Sequence, residues 1–113
     1  MPNSRRVGHN YERELVKKFK AIGFEGCCTS RNESKKRDDE GVDLCFTGPL
    51  NVQAKRMKNQ PNFRKVLDAM PDEPGQINVV FHKVPNKGEI VVMREGDFME
   101  CLAAAVKEGL VKP

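Results

Sequence analysis

Four short apolar runs rich in β-branched residues, VDLCF, LNVQAK, INVVFHKV and EIVVM, constrain this chain more than any other feature. They fall into two pairs, each split by a turn signal: Gly48 and Pro49 in the first pair, PNKG in the second. Short apolar runs bounded by such turns read as strands, so each pair predicts an antiparallel hairpin. Asp43, Gln53, Ala54 and Lys55 lie on the first of them.

The remaining segments supply the helices that cover these strands. In YERELVKKFKAIGF the residues Tyr11, Leu15, Val16, Phe19 and Ile22 recur at helical spacing, with Asn10 as cap and Gly23 as stop. A short extended segment is expected from Phe24 to about Ser30, and RNESKKRDDEG, with no hydrophobic residue, reads as a charged loop. NQPNFRKVLDAM predicts a short helix with Pro61 near its first turn and Phe63, Val66, Leu67 and Met70 on one face. GDFMECLAAAVKEG predicts a final helix turning Phe98, Cys101, Leu102, Ala105 and Val106 inward. The order αβββαββα is that of an α/β protein, with a central mixed five-stranded sheet flanked by helices.

With 113 residues, the chain is expected to form one domain, 1–113, with one core. No apolar stretch reaches the ~20 residues of a membrane span, and the basic start MPNSRRVGHN has no apolar run behind it, so a cytoplasmic location is expected. Cys27, Cys28, Cys45 and Cys101 contain no CxxC pair, and His9 and His82 stand at no zinc-ligand spacing. In a reducing compartment, Cys45 and Cys101 are expected as small core hydrophobes, with Cys27 and Cys28 partly exposed.

The formal net charge of +4 is unevenly spread: residues 1–65 carry 15 Lys and Arg against 8 Asp and Glu, while residues 66–113 carry 5 against 8. A basic half suits a polyanionic ligand approached through one face. Within that half, the period of two sends Gln53 and Lys55 to the same side of their strand, and Asp43 on the neighbouring strand can meet them. A hard divalent cation such as Mg²⁺ takes oxygen ligands and keeps several waters, so Asp43, Gln53 Oε1 and the main-chain carbonyl of Ala54 form a candidate metal site. Lys55 is placed to orient or help deprotonate a water for attack on phosphorus. Arg5, Arg6, Arg31, Lys35, Lys36, Arg37, Arg56, Lys58, Arg64 and Lys65 surround these residues as candidate phosphate contacts. One Tyr, no Trp and no aromatics in the basic loop argue for duplex binding over base stacking on a single strand.

RRVGHNYERELVKKFKAIGF, the polar loop, GVDL, the QxK strand, and NVVFHK with EIVVMREGDFMECL together resemble the archaeal-type Holliday-junction resolvases, PD-(D/E)xK nucleases, from about Arg6 to about Leu102. The resemblance implies a restriction-endonuclease-like core and Mg²⁺-dependent hydrolysis of phosphodiester bonds in four-way DNA junctions, with Mn²⁺ as a substitute ion. It carries the motif aspartate onto Asp43, the (D/E) position onto Gln53 and the lysine onto Lys55. It makes Glu12 a further metal-site acid, with Glu14 the weaker alternative, and offers Ser30 or Ser34 as a loop serine. Two departures stand out: Val42 where the motif has proline, and Gln53 where it has a carboxylate, the latter expected to weaken metal affinity. Symmetric nicking of a junction calls for a homodimer, whose surface the sequence does not mark; Met93, Phe98 and Met99 are candidates for it, with core packing the preferred role for most of them. A restriction, nicking or repair nuclease of the same fold, or a non-catalytic nucleic-acid-binding module, are the alternatives. A phage source would place the protein in the host cytoplasm.

Overall fold

The computed structural model describes residues 4–113, with side chains from Arg6 onward. The long helix α1 (Ser4–Ala21) is followed by the two-residue strand β1 (Cys28–Thr29), the short helices α2 (Ser30–Glu33) and α3 (Lys35–Asp39), and β2 (Leu44–Cys45). Then come β3 (Leu50–Arg56), α4 (Phe63–Ala69), β4 (Ile77–Val84), β5 (Gly88–Met93) and α5 (Glu95–Lys107).

β4 is the centre of a three-stranded sheet ordered β3-β4-β5. β3 runs parallel to it, Leu50 opposite Ile77 through Arg56 opposite Lys83, and β5 returns antiparallel. Parallel strands need a crossover, and α4 provides it. The period of two along β4 divides the core. Val79 and Phe81 pack with Val52 and Ala54 against Tyr11, Leu15 and Phe19 of α1. Val80 meets Leu67 and Met70 of α4 on the opposite face. The result is a layer of α1, a sheet and a layer of α4.

Several expectations are corrected. β2 does not form a ladder with β3: it pairs antiparallel with β1, Cys28 opposite Cys45. The sheets are therefore of two and three strands, and no five-stranded sheet is present among the described residues. One main-chain hydrogen bond, Asp43 N to Val52 O at 2.7 Å, joins the end of β2 to β3. RNESKKRDDEG is not a loop but α2 and α3. Ser34 caps α3 by accepting from Arg37 N, and Arg37 donates to Glu73 (2.8 Å) and Asn51 (2.9 Å), so polar rather than apolar packing holds the segment. α1 begins at Ser4, well before Asn10, and Ile22 lies beyond its last turn, exposed. Cys27 is buried and Cys101 exposed, the reverse of the expectation, because α5 buries none of its residues; Cys45 is only partly buried. Phe98, Leu102 and Val106 accordingly face solvent rather than the sheet, as does Met99; Met93 is partly buried against the α1 side. No helix among the described residues is long and apolar enough to cross a membrane.

Candidate active site

The site forms where β2, α1 and the edge of β3 converge, and its centre is Asp43. The Asp43 carbonyl accepts from Ser30 N (2.8 Å), its N–H donates to Val52 O (2.7 Å), and its Oδ2 accepts from Ala54 N (2.8 Å). Ser30, fully buried, donates its hydroxyl to Val42 O and so ties the residue before Asp43 to the start of α2. Asp43 is thus held by the first residue of α2 on one side and by β3 on the other, with a carboxylate oxygen on the edge of β3 away from β4. The N–H and C=O of one strand residue point to the same edge. Ala54, whose N–H meets Asp43, therefore turns its carbonyl toward the same place.

The Asp43 carboxyl is pushed up to about 7, chiefly by burial and then by the negative charges of Glu12 and Asp38, against the lowering effects of the Ala54 N–H and Lys55. Glu12 and Lys55 thus each lie within electrostatic reach of Asp43, although they come from α1 and β3.

Glu12 arrives from α1. It follows the buried Tyr11 and is itself 8% exposed, so it is no ordinary surface acid. Arg31 of α2 neutralises it through Nε to Oε1 at 3.2 Å, while Arg31 Nη2 is buried with no hydrogen-bond partner among the described residues. Glu14 points elsewhere, to Lys83 at 2.7 Å. Gln53 and Lys55 project from β3 toward α4 and line an open cleft of about 430 Å³ with Gly41, Asn62 and Lys65. Gly41 has φ +80°, and a Cβ there would stand 3.3 Å from Gln53 Oε1. The turn into β2 therefore needs glycine twice over, for its backbone and for room beside the amide.

Among the described residues no three His, Cys, Asp or Glu side chains converge as a metal cluster. A cation here would have Glu12 and Asp43 as its acids and draw its other ligands from the Gln53 amide, the Ala54 carbonyl, waters and a substrate oxygen. That donor set fits Mg²⁺, which accepts few carboxylates and keeps water. A buried carboxyl raised by desolvation and by neighbouring negative charge, as Asp43 is, is also the electrostatic situation that a cation relieves.

The basic residues divide into two groups. Arg6, Lys35, Lys58, Arg64 and Lys65 are exposed, as is Lys36, whose Nζ lies 4.0 Å from Glu40. Arg56 is half-buried at the end of β3. Arg37 and Arg31 are instead engaged in internal hydrogen bonds, and Ser34 serves as a helix cap. The Arg5 side chain lies outside the described residues. Sequence reasoning missed Asp38, whose charge acts on Asp43, and Gly41; the acidic tail of KKRDDEG ending in glycine was the only signal of either. No protein-family profile, curated protein or solved structure matches the chain.

Proposed function

We propose that this protein is a metal-dependent, structure-selective DNA endonuclease that resolves four-way junctions as a homodimer. The observation that carries the reading is Asp43, fastened by its carboxylate to Ala54 N and placed within electrostatic reach of both Glu12 and Lys55. An acid pair, a lysine and a free strand edge are what phosphodiester hydrolysis requires of a small protein. The sequence resemblance to PD-(D/E)xK resolvases adds the substrate, and the uneven charge adds a polyanion-facing side. On this reading the two sheets belong to one restriction-endonuclease-like sheet, joined at the Asp43–Val52 hydrogen bond.

In this scheme Asp43, Glu12, the Gln53 amide oxygen and the Ala54 carbonyl would hold Mg²⁺ or Mn²⁺, and the ion, when bound, would supply a water of lowered pKa and charge stabilisation at phosphorus. Lys55 orients the attacking water from the cleft side. Arg6, Lys35, Lys36 and Lys65 take the phosphates of the duplex arms without reading bases. The test is cleavage of a four-way junction beside linear duplex of the same sequence. Nicking of the junction alone supports a resolvase, equal nicking of both makes the protein a general nuclease of the same chemistry, and binding without nicking in either ion makes it a binding module.

A further inference from the structure

β1 and β2 are each two residues long, and their ladder sets Cys28 directly opposite Cys45 and Thr29 opposite Leu44. Side chains alternate across a strand, which sorts the three cysteines at this corner. Cys27 and Leu44 lie in the core with Leu15 and Phe19 of α1, and Thr29 is buried too. Cys28 and Cys45 therefore share the outer face of the ladder, and both are free thiols, partly exposed. Cys45 also lines an open cleft of about 390 Å³ with Ser34, Arg37 and Phe46, so a small molecule can reach it.

Residues directly opposite in an antiparallel ladder have Cα atoms about 4.5–5.5 Å apart, inside the range of about 4.4–6.8 Å that a disulfide spans. The two sulfurs also feel one another: the Cys45 thiol is pushed up first by burial and next by Cys28, while Arg37 lowers it. Any fine adjustment that a bond requires falls on a ladder of two residue pairs outside the β3-β4-β5 sheet, so no long strand has to shift. Cys27 is the neighbour in sequence but not the partner, because its side chain is turned into the core.

We propose that Cys28 and Cys45 are a redox pair, joined by a disulfide when the chain meets a low-molecular-weight disulfide such as oxidised glutathione and separated again by thiols. The Cys45 thiolate attacks one sulfur of oxidised glutathione, forming a mixed disulfide and expelling one glutathione thiolate. The Cys28 thiolate then attacks the Cys45 sulfur, forming the protein bond and expelling the second. Two protein thiols are oxidised and one glutathione disulfide is reduced. The loop so closed contains α2 and α3, a segment otherwise held by polar contacts such as those of Arg37 with Glu73 and Asn51. Two rungs along the same ladder, Ser30 N donates to Asp43 O at 2.8 Å, so oxidation fastens the framework that carries Asp43. The bond concerns this framework and not the chemistry of Asp43, and its test stands apart from the cleavage assay.

The test is incubation of the folded full chain in glutathione buffers of increasing oxidised fraction, followed by an acid quench, maleimide counting of thiols in the unfolded chain, intact mass and thermal unfolding. Four reactive thiols are expected in the reduced protein and two, Cys27 and Cys101, in the oxidised one, at the chain mass less two hydrogens. Tm is expected to rise by about 10 °C on oxidation, because closing a loop of this length constrains the unfolded chain, and dithiothreitol is expected to reverse both changes. Cys28→Ser and Cys45→Ser are each expected to lose the bond, whereas Cys27→Ala keeps it. Four thiols at every buffer ratio, glutathione adducts that never resolve, or a bond that persists in Cys28→Ser through Cys27 would overturn the pair. A bond that lowers Tm would equally refute it, since it would not fit the folded ladder.

Discussion

Replacing Asp43 with asparagine should make the protein more stable at alkaline pH while abolishing the activity proposed for it. In the folded chain the Asp43 carboxyl is raised from 3.8 to about 7, chiefly by burial, with Glu12 and Asp38 adding to it. Between those two values the native state holds a proton that the unfolded state has lost, so stability falls as pH rises through that window. Each unit is worth about 1.4 kcal/mol, so above pH 7 the ionised carboxylate costs up to roughly 4 kcal/mol, less to the extent that water reaches it. Asparagine carries no such charge and its Oδ1 can still accept from Ala54 N. The expected gain is about 2–4 kcal/mol at pH 8 and near zero at pH 4. For a domain of this size that is roughly 10 °C in Tm. Thermal unfolding of both proteins at pH 4 and pH 8 reads the difference directly. Adding Mg²⁺ at pH 8 should raise the wild type toward the variant, because only the native wild type binds the ion. A difference that is the same at both pH values, or a variant less stable at pH 8, would refute the electrostatic account of Asp43.

Gly41→Ala should lose about 1–2 kcal/mol in urea unfolding, since a side chain at φ +80° is strained, and should also impair cleavage by displacing the Gln53 amide. Lys35 and Lys36 changed together to alanine should lower the slope of log K for DNA against log salt by up to about 2 without loss of stability; Arg37→Ala should instead lower the unfolding midpoint, because its bonds to Glu73 and Asn51 are internal. Gln53→Glu should keep or improve cleavage at low Mg²⁺ by restoring an anionic oxygen, and loss of cleavage at every Mg²⁺ concentration would mean that the amide has another role.

The parts of the fold that were legible were those with long apolar periodicity. Tyr11, Leu15 and Phe19 mark α1, Phe63 to Met70 mark α4, and the PNKG turn marks the hairpin of β4 and β5. Periodicity says that a segment is extended, not which strand lies beside it. LNVQAK therefore looked like the partner of VDLCF, whereas it pairs in parallel with β4 after a crossover that burial of Leu67 and Met70 makes favourable. α2 and α3 were illegible for a related reason: a segment held by Ser34, Arg37, Glu73 and Asn51 has no apolar period to read. In α5 the apolar stripe was visible, but periodicity does not say that the helix packs on the sheet, so an inward face was expected where Phe98 and Leu102 meet solvent. At the site, the common face of Gln53 and Lys55 followed from strand geometry alone. The burial of Glu12 depended on its neighbour Tyr11 and on Arg31, which no local pattern joins to it.

The most direct measurement is strand nicking of a four-way DNA junction in Mg²⁺ by wild type and Asp43→Asn, with junction binding followed in parallel. The account predicts nicking by the wild type, none by the variant, and equal or tighter binding by the variant, since a negative charge beside the scissile phosphate is gone while the basic residues remain. Nicking by Asp43→Asn at the wild-type rate would show that Asp43 is structural and would contradict the assignment of the site.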